Sequence, residues 1–65
     1  MHIRVNGVSH DLQVARLAQA LEVLGYRQAA VATAVNGVFV PAGAREEVLL
    51  ADGDALEILA PMQGG

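Results

Sequence analysis

The dipeptide Asn-Gly occurs twice in this chain, at Asn6-Gly7 and Asn36-Gly37, each time between short apolar runs. Asn-Gly favours the positive φ angles of a type I′ turn, the commonest tight connection between antiparallel strands. Before the first copy, His2 to Val5 alternates, with Ile3 and Val5 on one face and His2 and Arg4 on the other. That is the period of a half-buried strand, and Val8 to Leu12 is expected to return beside it. Around the second copy, Val31 to Val35 is short, apolar and partly β-branched, which suits a largely buried strand. Val38-Phe39-Val40 then forms a short return strand. Pro41 ends it, because proline has no N–H to give to a ladder.

A helix is expected between the hairpins. Val14, Leu17, Ala18, Leu21 and Leu24 fall at i, i+3, i+4, i+7 and i+10, the apolar stripe of an amphipathic helix. Asp11 is a candidate cap at its start, and Gly25 suits the left-handed position past its last turn. Beyond the second hairpin, Ala42 to Glu47 reads as loop and Val48-Leu49-Leu50 as a short extended segment plugging the core. Ala51-Asp52-Gly53-Asp54 reads as a turn. Ala55 to Ala60 is the last strand, with Leu56, Ile58 and Ala60 on one face and Glu57 and Leu59 on the other. Residues 61–65, Pro61-Met62-Gln63-Gly64-Gly65, show no pattern and are expected to form a flexible tail after a domain of residues 1–60. The order β-β-α-β-β-β implies an α+β domain with the helix on one sheet face. It is compatible with the β-grasp, or ubiquitin-like, fold among other small α+β arrangements.

Stability is the next constraint. A chain of 65 residues buries only about 60% of the surface its unfolded form exposes. With no cysteine, it has neither a disulfide nor a Cys-based zinc site to add to that margin. The core must supply the stability, and it must be aliphatic: 54% of residues are hydrophobic, yet only one Tyr and one Phe occur. The net charge of −3, the lack of a basic run and the scarcity of rings argue against nucleic acid. No apolar stretch approaches the ~20 residues that span a bilayer. Met1-His2-Ile3-Arg4 lacks the pattern of a signal peptide, so a cytoplasmic protein is the simplest expectation. His2 and His10 have no third ligand spaced to join them. Asp52 and Asp54 flank a glycine without the rest of a calcium loop, and Arg45-Glu46-Glu47 reads as solvated loop.

Three segments together resemble the ThiS family. They are Ala34-Val35-Asn36-Gly37-Val38-Phe39-Val40-Pro41, then Asp52-Gly53-Asp54 followed by an alternating strand, then the terminal Gly64-Gly65. The first hairpin and the Leu-rich helix match in order and size, so the resemblance covers essentially the whole chain. Two departures stand out. Ala42 and Gly43 follow Pro41 where family members often carry Arg with a Trp nearby, and the link into the helix is short and lacks the common Thr cap. Gly-Gly alone would carry little. With glycine at about 7% of residues, the pair arises by chance in roughly 0.5% of chains; the upstream order is what gives it weight.

The resemblance implies a β-grasp sulfur carrier of thiamine (thiazole) biosynthesis, with a mixed sheet of about five strands on one helix. It implies that the Gly65 carboxylate is adenylated by a ThiF-type adenylyltransferase using ATP and magnesium. A sulfur donor, ultimately a cysteine desulfurase, then makes it a thiocarboxylate, and thiazole synthase of the ThiG type takes the sulfur. The carrier itself holds no cofactor or metal and is a protein co-substrate rather than an enzyme. Gly64, Gln63, Met62, Pro61, Leu59 and Phe39 are the candidate partner-binding residues, because apolar groups exposed beside a tail suit a docking patch. Burial of Phe39 or Leu59 is the competing reading. The rival functions are a MoaD-type small subunit of molybdopterin synthase, a carrier for tRNA thiolation or cysteine synthesis, and a non-catalytic β-grasp regulatory domain.

Overall fold

The computed structural model describes residues 1–26 and 30–60. The elements run β1 (His2–Val5), β2 (Val8–Asp11), α1 (Leu17–Val23), β3 (Ala32–Val35), β4 (Val38–Val40), a 3-10 helix (Ala42–Glu47) and β5 (Ala55–Leu59). Both Asn-Gly pairs turn as their chemistry requires. Asn6 and Gly7 have φ of 50° and 84°, and Asn36 and Gly37 have 51° and 82°, the doubly positive signature of type I′.

The two hairpins do not pair with each other. The sheet order is β2-β1-β5-β3-β4, so the last strand lies between them. β1 runs parallel to β5, with Arg4 beside Ala55 and Val5 beside Leu56. β3 runs antiparallel to it, from Ala32 opposite Leu59 to Val35 opposite Leu56. This mixed sheet agrees with the expected architecture.

One sheet face carries the core. Ile3, Val5, Leu56 and Ile58 from the strands meet Leu17, Ala20 and Leu21 from α1, with Leu12, Val40 and Leu50 closing the edges. All are aliphatic, as the composition demands. Thr33 is the one buried polar residue among those described, at 1% exposure. Its Oγ1 donates to the Val40 carbonyl at 2.8 Å and accepts from Arg45 Nε at 3.1 Å. Arg45 Nη2 also donates to the Val31 carbonyl at 2.6 Å. The segment expected to be solvated loop is therefore a 3-10 helix whose one arginine anchors it to β3.

The helix is shorter than the apolar stripe suggests. It starts at Leu17, and Val14 lies half-buried before it. The reason is a competing pairing: Leu17 N–H donates to Val48 O and Leu50 N–H to Ala15 O, both at 2.9 Å. Arg16, the residue before the helix, is thus held extended between these two bonds and bridges to Leu49. Asp11 stays in β2 and does not cap. Gln19 Oε1 instead accepts the N–H groups of Ala15 and Arg16, each at 3.0 Å, satisfying donors at the helix start. The other end matches expectation. Gly25 has φ 91°, Gly25 N–H donates to Glu22 O and Tyr26 N–H to Leu21 O, the paired bonds of a Schellman motif.

Candidate functional site

The sheet has a second face, which no described element covers. The pairings place its residues in rows. Phe39 lies opposite Ala34, which lies opposite Glu57, and Leu59 lies opposite Ala32. Phe39 and Leu59 are each 65% exposed, which removes the reading that either is buried. The small side chains of Ala32 and Ala34 lie between them, so the strip is apolar and shallow. Toward β1 it continues into a groove lined by Arg4, Asn6, Gly7, Ala55, Glu57 and Leu59. Expectation placed Ala60 on the core face. It is exposed instead, because the ladder to β3 ends at the Ala32–Leu59 pair and the sheet gives Ala60 nothing to pack on.

Leu59 therefore ends β5 on the same face as Phe39, and residues 60–65 continue from that point. Pro61, Met62, Gln63, Gly64 and Gly65 lie outside the described residues. Ala32 and Ala34 escaped the sequence reading of this face, although the period of the strand itself would have placed them with Phe39 once the pairing was known.

The acidic turn before β5 has a structural job. Asp52 Oδ1 accepts the His2 N–H at 2.6 Å, and Gly53 N–H donates to His2 O at 2.7 Å. Asp54 accepts from Asn36 Nδ2 at 2.9 Å on one oxygen and from the Ala51 N–H at 2.8 Å on the other. Both carboxylates thus tie the start of β5 to its neighbours. Among the described residues, no group of three or more His, Cys, Asp or Glu is placed to hold a metal, and no helix is long and apolar enough to cross a membrane.

Two hairpins clasping a final central strand, with one helix across a single face, define a β-grasp domain. A model of the ThiS family matches residues 3–65, and the chain belongs to that family. Among solved structures, the chain is similar to the crystal structure of a thiamine biosynthesis protein (ThiS) from Geobacter metallireducens. The two share 32% identity over the full length of both chains, with a TM-score of 0.84. No curated protein matches the chain.

Proposed function

We propose that this chain is a sulfur carrier in thiamine biosynthesis and that the carboxylate of Gly65 is its working group. The observation that carries the reading is the family match running through residue 65, so that Gly64-Gly65 falls inside the family pattern. The exposed strip at the end of β5 supports it, because a partner gripping Phe39 and Leu59 is well placed to receive the residues beyond them.

The chemistry needs little from the carrier. A carboxylate is a poor acyl donor until its oxygen leaves easily. In the proposed sequence, a Gly65 carboxylate oxygen attacks the α-phosphorus of ATP and pyrophosphate departs, giving an acyl-adenylate. A persulfide sulfur derived from a cysteine desulfurase then attacks the acyl carbon and AMP departs, giving an acyl disulfide, and a second thiol cleaves its S–S bond to leave the thiocarboxylate and a disulfide. ATP and magnesium belong to the ThiF-type partner. The carrier supplies the acyl group and the docking face, with no acid, base or metal of its own. Thiazole synthase is the proposed acceptor. Glycine at 64 and 65 removes the Cβ atoms that would keep the backbone from a narrow channel.

Intact-mass measurement tests the proposal. Incubation with ATP, magnesium, a ThiF-type enzyme and a sulfide source is expected to add about 16 Da, the exchange of oxygen for sulfur that follows acyl activation. Deleting Gly65 is expected to abolish the gain while the domain stays folded. No gain on the folded chain with an enzyme competent on its own carrier refutes the reading. Offering the product to thiazole synthase and to the large subunit of molybdopterin synthase then identifies the acceptor.

A further inference from the structure

The two turn asparagines do more than turn the chain. β1 stops pairing with β5 at Val5 and Leu56, because the chain reverses at Asn6-Gly7. β5 runs on to Leu59. The Asn6 N–H still reaches Leu56 O at 2.9 Å, and its side chain then goes one step further. Asn6 Oδ1 accepts the Ile58 N–H at 2.8 Å, and Asn6 Nδ2 donates to Ile58 O at 3.0 Å. One side-chain amide thus reproduces the donor and acceptor of a backbone residue and lengthens β1 by one position along β5.

Turn geometry alone does not require this. The first position of a type I′ turn needs only a residue tolerant of positive φ, and glycine or aspartate serves. A primary amide on a short arm offers a donor and an acceptor together, which neither of those does. Asn36 does the related job at the far end of the strand, where Ala55 N–H donates to Asn36 Oδ1 at 2.9 Å and Asn36 N–H to Ala55 O at 2.8 Å. The two ends of β5 are not equivalent. Asn36 guards its start, and Asn6 guards the end from which residues 60–65 continue.

We propose that Asn6 is a positioning residue for the reactive end: its amide holds Ile58 on the β1 side while Ala32 pairs with Leu59 on the β3 side, and the two together set where the chain leaves the sheet. This rests on the carrier reading above. A partner that grips the Phe39–Leu59 face and takes up the terminus at once gains from a fixed relation between the two, which acts as effective concentration.

The test compares Asn6→Gly with Asn36→Gly. Each keeps a residue suited to φ near +50°, and each removes two side-chain hydrogen bonds, to Ile58 in one case and to Ala55 and Asp54 in the other, so both variants are expected to lose stability. Two readouts separate them. Amide exchange on the chain alone is expected to speed up at Ile58 in Asn6→Gly and not in Asn36→Gly. In ATP–pyrophosphate exchange with a ThiF-type enzyme, Asn6→Gly is expected to raise the KM for the carrier about tenfold with kcat nearly kept, while Asn36→Gly stays within about twofold. Equal KM shifts in the two variants, or an unchanged KM in Asn6→Gly, overturn the proposal. A wild-type chain that is never activated refutes the carrier reading instead. Ile58 exchange then decides the positioning on its own, and an unchanged rate in Asn6→Gly overturns it.

Discussion

Replacing Thr33 by valine exchanges a hydroxyl for a methyl at a site only 1% exposed. On hydrophobicity alone the change should stabilise the core, by about 0.8 kcal/mol for one added carbon. The bonding argues the other way. The hydroxyl donates to Val40 O and accepts from Arg45 Nε. Losing a neutral bond costs about 1 kcal/mol and losing one to a charged group about 1.5–3 kcal/mol, because the partners stay in place without it. The net expectation is a loss of about 2–3 kcal/mol. A chain of this length has only about 3–10 kcal/mol in total, so the melting temperature should fall by roughly 10–20 °C. Thr33→Ser keeps the hydroxyl and deletes the methyl, at about 1 kcal/mol. Urea denaturation followed by far-UV circular dichroism gives the ordering: wild type above Thr33→Ser above Thr33→Val. A valine variant at least as stable as the serine variant refutes the predicted ordering, and one about 0.8 kcal/mol more stable than wild type would show that the Arg45–Thr33–Val40 chain contributes nothing.

Two further outcomes test the division between core and docking face. Leu17, fully buried where α1 meets the sheet, should cost about 2–5 kcal/mol when cut to alanine, leaving much of the population unfolded in the same urea series. Phe39→Ser and Leu59→Ser, at positions each 65% exposed, should change stability by no more than about 0.5 kcal/mol; each should slow the mass gain in the activation assay, and normal rates in both would remove the strip from the docking face.

How much of this could be read from the residues depended on distance along the chain. Asn6-Gly7 and Asn36-Gly37 carry their turn geometry within two residues, so both hairpins were legible. Gly25 likewise announced the end of α1, and the alternation of Leu56 and Ile58 with Glu57 and Leu59 gave the correct faces of β5. What lay hidden was set by residues far apart. Nothing near Val14 shows that residues 48–50 pair with 15–17 and delay the helix. Nothing near Arg45 shows that Thr33 and Val31 wait for its guanidinium. The exposure of Ala60 depends on where β3 begins, and the bidentate use of Asn6 depends on a strand 52 positions away in sequence. Of the site, Phe39 and Leu59 were legible as residues, but their shared face with Ala32 and Ala34 needed the register.

The central place of β5 has a consequence for how the chain is made. Synthesis runs from the N-terminus, so both hairpins leave the ribosome before the strand that joins them. Until Ala55–Leu59 emerges, neither inner strand has its second neighbour, and the sheet must wait for contacts of long sequence separation, the kind that form late. A chain interrupted before that point has two loose hairpins and no sheet to hold them. Folding and the arrival of the C-terminal segment are thereby nearly the same event, and a prematurely ended copy is left open to proteolysis rather than becoming a folded decoy for the partner.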